Sequence, residues 1–221
     1  MGARYDGLAE WYDEHLAEFT LAATDALERH LGAGPGSCLD LCCGTGLHLQ
    51  TLTRLGWTVT GVDISADQLR LAATRADENV ELVLADASSL PFDDSHFDAV
   101  VSMFTHTDVD DFAALIGEAS RVLRPGGTIV YAGLHPCFVG PHSRFVAAEG
   151  VPELHPGYRE ARRYDQAPGI SAGGLRSRVG AVHLPLERLL GAFLENGFVL
   201  DRFEEHGEGD YPPRVALRAR R

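Results

Sequence analysis

Three aspartates recur at equivalent places in this sequence, each following an apolar run: Asp40 after Cys38-Leu39, Asp63 after Val59-Thr60-Gly61-Val62, and Asp86 just past the run Val80 to Leu84. Between the first two lies a turn of small residues, Cys42-Cys43-Gly44-Thr45-Gly46, with a helix expected from Leu47 onward. Small residues let a backbone approach a ligand closely, and the free N–H groups of a helix start face whatever sits there. Asp63 stands roughly 20 residues beyond the turn, where a carboxylate is placed to accept from both hydroxyls of a ribose.

The same residues exclude other nucleotide ligands. A pyrophosphate fingerprint needs G-x-G-x-x-G, and the third glycine position is Leu49. The chain has no lysine, so a phosphate-binding G-x-x-x-x-G-K-[ST] loop is ruled out. An acid at Asp40 repels a pyrophosphate and suits a ligand carrying an ammonium group. Two histidines next to strand ends, His106 and His135, are base candidates, because imidazole titrates near neutrality. His106 reads equally well as a solvent-facing histidine at the start of a helix. His142, Tyr158 and His183 are candidate substrate contacts. No H-x-x-x-H or similar ligand pair is present, and no metal is expected.

Asp40-Leu41-Cys42-Cys43-Gly44-Thr45-Gly46 resembles the first motif, D-x-G-x-G-x-G, of the class I S-adenosylmethionine (SAM)-dependent methyltransferases, with Cys42 where the family usually has its first glycine. The resemblance extends to Tyr5-Asp6, Ala9 and Tyr12-Asp13 near the start, to Leu90-Pro91-Phe92 followed by Phe97-Asp98, and to the turn Arg124-Pro125-Gly126-Gly127. It implies SAM as cofactor and methyl transfer to the O, N or C atom of a small-molecule acceptor. It implies cofactor contacts from Tyr12, Asp40, Cys42, Gly44, Gly46, Asp63 and Gln68, with Ile64 against the adenine, Asp86 and Ala87 at the adenine amino group, and Ser102 and Met103 at the methyl-donor edge. Three alternatives stay open. These are an enzyme of this fold that binds SAM without methylating, such as a cyclase; a noncatalytic SAM-binding protein; and a nicotinamide oxidoreductase, which Leu49 and Asp40 disfavour.

The elements that must position these residues follow from periodicity. Leu8, Trp11, Tyr12, Leu16, Phe19 and Ala23 recur at helical spacing, predicting one helix over 4–31, either a lid or plain packing. Strands then alternate with helices: Trp57 to Val62, Ala66 to Ala76, Val80 to Leu84, Phe97 to Val101, a helix from Asp108 to Leu123, and Thr128 to Leu134. This rhythm predicts an α/β fold, a doubly wound parallel sheet whose ligands bind outside the carboxyl ends of the strands. The family resemblance implies a Rossmann-like sheet of seven strands, mostly parallel with an antiparallel last strand and helices on both faces. We read 1–221 as one domain, with a helical cap over 1–35 and a Gly- and Pro-rich insertion over 136–180 that covers substrate or stands as a solvated loop.

Bulk composition narrows the partners. A net charge of -13 argues against nonspecific nucleic-acid binding. No apolar run approaches the roughly 18 residues of a membrane span. The polar start lacks a signal-peptide core, and the four cysteines fit no zinc template, so reduced thiols and a cytoplasmic location are expected. A monomer or homodimer acting on a small molecule is the expectation.

Overall fold

The computed structural model describes residues 3–146, 151–168, 170 and 173–221. Its central sheet is built from β1 (Ser37–Leu41), β2 (Thr58–Asp63), β3 (Glu81–Leu84), β4 (Phe97–Met103), β5 (Leu123–Leu134), β10 (Val199–His206) and β11 (Arg214–Arg220). The strand order is β10-β11-β5-β4-β1-β2-β3, and only β11 runs antiparallel to its neighbours. This is the expected seven-stranded, doubly wound sheet.

Side-chain alternation explains why helices cover both faces. Leu39, Leu41, Val100, Ile129, Tyr131, Val215 and Leu217 point to one side, where they pack with Phe112, Leu115 and Ile116 of α5 (Phe112–Val122) and Leu189 and Phe193 of α7 (Leu186–Glu195). Cys38, Ala99, Val101, Val130, Ala132 and Ala216 point to the other. There they meet Ala26 and Leu27 of α2 (Thr24–Leu31), Leu49 and Leu52 of α3 (Leu49–Arg54) and Ala72 of α4 (Ala66–Arg75). The strands buried on both faces are the ones whose sequences read as continuous apolar runs.

Four expectations about local structure are corrected. The single helix over 4–31 is two helices, α1 (Ala9–Leu21) and α2. The chain tightens where the Ala23 N–H donates to Thr20 O at 3.2 Å, which lets α2 lie on the sheet while α1 crosses toward α4. The helix predicted from Asp108 starts at Phe112, with Asp111 accepting from the Ala114 N–H at 2.9 Å as its cap; Thr105–Thr107 form a 3-10 turn instead. Arg124 to Gly127 do not precede the fifth strand but bulge within β5. Phe97 pairs with Leu123 and Ala99 with Thr128, so the intervening residues loop out.

Among its described residues, the segment over 136–180 carries strands and a helix rather than loop alone. It holds the hairpin β6 (Ser143–Val146) and β7 (Val151–Leu154), the strand β8 (Arg162–Tyr164) paired with β9 (Ala181–His183), and a short helix α6 (Leu175–Val179).

Candidate functional site

The glycine turn between β1 and α3, the tip of β2 and the tip of β4 open onto one cavity of about 440 Å³. That volume lies within the roughly 300–1,000 Å³ common for small-molecule sites. It sits outside the carboxyl ends of the parallel strands, where β4 and β2 depart from β1 in opposite directions.

The turn is held by three backbone bonds. The Cys43 N–H donates to Val62 O at 2.9 Å, Gly44 N–H to Asp63 Oδ2 at 2.9 Å, and Gly46 N–H to Cys43 O at 2.9 Å. Its two glycines have different duties. A Cβ at Gly44 would meet only Gln68 Oε1, at 3.6 Å, so its backbone faces open cavity. A Cβ at Gly46 would fall 3.0 Å from Ala72, so that glycine lets α4 pack against the turn and does not line the cavity. Cys42 has φ 61, the left-handed region that favours glycine. Cys42 thus holds a backbone conformation that suits glycine, with a side chain added at the expense of strain. We expect Cys42→Gly to raise stability by about 1 kcal/mol, from relief of left-handed strain less the lost side-chain packing, and to leave ligand affinity within twofold. Paired denaturant unfolding curves check this; a loss of stability would show that packing outweighs the strain.

Asp63 is held in the cavity wall by two backbone N–H groups. Its Oδ1 accepts from the Ser65 N–H at 2.9 Å and its Oδ2 from Gly44, which fixes the carboxylate while leaving lone pairs toward the cavity. Burial raises its pKa, opposed by these N–H groups. Beside it Ile64 is 56% exposed, an apolar side chain that lines the cavity. Ser65 caps α4 by accepting from the Gln68 N–H at 3.3 Å, which aims Gln68 at the turn with both amide atoms lacking a partner among the described residues. Asp86 lines the cavity but turns its Oδ1 to the Ser88 N–H and hydroxyl, at 2.8 and 2.7 Å, so it also closes its own turn. Ala87 and Met103 line the cavity too.

Asp40 and Ser102 do not line it. Asp40 is 2% exposed, on the sheet face that carries Cys38, and its Oδ2 has no partner among the described residues. Burial, helped by Asp63, pushes its pKa up to about 7. Ser102 is buried and bonds Thr105 Oγ1 at 2.7 Å. Sequence reasoning missed Phe104, whose φ of 61 bends the chain under the cavity, and the acids Asp108, Asp110 and Asp111 at its mouth. The run Asp108-Val109-Asp110-Asp111 directly after a strand tip was the available signal.

The paired Tyr-Asp pattern of the N-terminal segment divides its labour. Tyr5 and Tyr12 line the cavity, their rings edge to face with centroids 5.7 Å apart. Asp6 accepts from the Ser65 hydroxyl at 2.7 Å. Asp13 accepts from Thr45 Oγ1 at 2.8 Å and pairs with Arg75 at 2.5 Å. The tyrosines face the ligand space, and the aspartates pin their segment to the two turns beneath.

The histidines are placed differently from expectation. His106 is 2% exposed, outside the cavity lining, and its Nδ1 bonds the buried Tyr131 hydroxyl. Burial lowers its pKa to about 3, so it is neutral and enclosed by Phe112 and Tyr131. His135 is buried too, with Nδ1 accepting from the Cys137 N–H at 3.1 Å and Nε2 donating to Glu205 at 2.5 Å. Both ring nitrogens are in use, and the ring is away from the cavity lining. His142, Tyr158 and His183 do come together, with ring centroids 5.0 to 5.8 Å apart, but as a knot between the 136–180 segment and β9. His142 Nε2 donates to Cys137 O and His183 Nε2 to Tyr158 O. None of the three lines the cavity.

Residues 39–131, which contain the turn, both acid-tipped strands that follow it and β4, match the family profile described as "Methyltransferase domain". A demethylmenaquinone methyltransferase of Staphylococcus aureus is 41% identical over 108 residues, 46% of this chain and 45% of its own length. The chain thus spans about half the length of the curated relatives it matches. The fold recurs in a solved SAM-dependent methyltransferase from Mesorhizobium loti, with TM-score 0.74, 23% identity, and 94% and 99% of the two chains covered. It recurs also in the cyclase SpnF, with TM-score 0.61, 22% identity, and 90% and 79% covered.

Proposed function

We propose that the chain binds SAM in this cavity and transfers its methyl group to a small-molecule acceptor. The observation that carries this reading is the fixed Asp63 carboxylate beside the exposed Ile64, a ribose acceptor next to an apolar face at the tip of one strand. Other features of the cavity suit the same cofactor. Gly44 leaves its backbone open to close approach, the Gln68 amide is unpartnered among the described residues, and Asp86 and Ala87 stand where an adenine edge would end. The unpartnered buried Asp40 carboxyl favours a cation above it.

When bound, SAM supplies an activated methyl group on its sulfonium. The protein's share is alignment and exclusion of water. Tyr5 and Tyr12 wall the space on the side of the N-terminal segment, and Phe104 and Thr105 floor it at the tip of β4. Among the described residues no histidine lines the cavity, which favours positioning over a histidine base as the source of the rate. The cavity must house cofactor and reacting group together, which supports a small acceptor. The acceptor named for the relatives is demethylmenaquinone; because the matched region is less than half of each chain, the acceptor here is assigned by class only.

Calorimetric titration with SAM and, separately, NADH tests the cofactor. Micromolar binding of SAM alone is expected. A folded protein that binds NADH or neither compound would end this reading. Because the fold also carries a cyclase, formation of S-adenosylhomocysteine in an acceptor screen is the readout of transfer itself.

A further inference from the structure

Two carboxylates at the cavity mouth each hold two otherwise separate parts of the chain. Asp108 Oδ1 accepts from the Tyr5 hydroxyl at 2.6 Å, and the same carboxylate pairs with Arg176 of α6. Arg176 also donates to Thr107 Oγ1 at 2.8 Å. Asp110 pairs with Arg4 and lies 3.8 Å from the Arg163 guanidinium on β8. A third link joins the same two parts without an acid: the Arg178 guanidinium stands 4.7 Å from the centroid of the Trp11 ring. So the N-terminal segment (Arg4, Tyr5, Trp11) and the 136–180 segment (Arg163, Arg176, Arg178) meet at three points, two of them through aspartates that line the cavity.

The two acid links differ in kind. The Asp108 and Arg176 side chains are each 22% exposed, whereas Asp110 is 75% exposed. Burial works against the Arg176 charge, but Asp108 and Tyr5 more than offset it and the guanidinium stays protonated. The Asp108 link is the one shielded from solvent and salt; the Asp110 link is screened.

We propose that Asp108 and Asp110 form a clasp that ties the N-terminal segment, whose Arg4, Tyr5 and Tyr12 line the cavity, to β8 and α6 and so holds it closed over the cavity, with Arg176 as a positioning residue acting through Asp108. The proposal rests on the cavity being the SAM site. It assigns the clasp the task of setting how long cofactor and acceptor are retained: neither can leave past Tyr5 until the Asp108 link opens. It also restricts the acceptor to molecules that fit within the closed chamber.

The test uses the full chain with Tyr5→Phe, Arg176→Gln and the double variant, read in two ways. Hydrogen exchange without cofactor reports the coupling itself. Arg176→Gln is expected to speed exchange across residues 5–12, and Tyr5→Phe across 173–180, segments to which the altered side chain makes no hydrogen bond. With SAM, each single variant is expected to raise the dissociation rate about tenfold, and the double variant no more than the stronger single one, because both act through one carboxylate. Arg176→Lys keeps the charge and should restore part of the slow dissociation. Exchange confined to the altered segment, or dissociation effects that multiply in the double variant, would overturn the clasp. Tyr5→Phe removes only one hydroxyl, so it keeps the test available if Arg176→Gln fails to fold. Failure of the wild-type protein to bind SAM would strike the cofactor reading, while the exchange measurement would still decide the clasp.

Discussion

Asp63→Ala is expected to weaken SAM binding by about two to three orders of magnitude, the largest single effect we foresee on the cofactor site. A hydrogen bond to a charged group contributes about 1.5–3 kcal/mol, and a carboxylate that accepts from both ribose hydroxyls makes two. The loss does not stop there. The Gly44 and Ser65 N–H groups both donate to this carboxylate, so its removal also frees the glycine turn and the start of α4. Asp63→Asn keeps acceptor capacity in one oxygen and should fall between the two. Calorimetric titration of each variant, with circular dichroism as a control for folding, gives the comparison. Affinity within threefold of wild type for a folded Asp63→Ala protein would remove the ribose assignment.

The second large effect concerns pH and Asp40. Its carboxyl titrates near 7 in the fold against 3.8 for an ordinary aspartate, because burial and the nearby Asp63 both disfavour its charge. Between those values the folded chain holds a proton that the unfolded chain has released. Stability linked to Asp40 is therefore fully present below about pH 4 and is lost as pH rises toward 7, by on the order of 4 kcal/mol in total. Asp40→Asn is always neutral at this position and should not show that loss. In the absence of cofactor, the variant is expected to be the more stable protein at pH 8, with the difference vanishing near pH 4. Urea unfolding at several pH values reads this directly, and parallel pH profiles for the two proteins would show that Asp40 is not the titrating group. SAM should act in the opposite sense. A cation above Asp40 favours the carboxylate, so binding near pH 6 is expected to release a proton, visible as a dependence of the binding heat on the buffer.

Much of the fold was legible because its signals are local. Cys38 to Leu41, Val59 to Val62 and Phe97 to Val101 are short apolar runs, and their length and flanking turn residues favour strands buried on both faces. The helix cap at Ser65 is likewise written in adjacent residues. Where sequence reading failed, the deciding contacts were distant. The helix over 4–31 breaks at Ala22 and Ala23, residues with good helical propensity, so its geometry follows from α2 packing on β5 and β11. The bulge at Arg124 to Gly127 is likewise fixed by partners far away in the chain, since Gly126 donates to Arg221 O and the Arg221 N–H to Gly127 O.

For the site, the sequence by itself determined the glycine turn, the acid at each strand tip and the paired Tyr-Asp pattern, since each depends on residue type and short spacing. Only the tertiary structure decided which polar side chains reach the cavity. His106 and His135 occupy promising places in sequence, yet the fold buries them against Tyr131 and Glu205, because the side-chain direction at a strand end is set by packing. Asp108 and Asp110 look like a helix start, yet the fold brings Arg4, Tyr5, Arg163 and Arg176 to them from two remote segments. Contacts between groups so far apart in sequence leave no trace in local pattern, and these are the contacts that hold the N-terminal segment over the cavity.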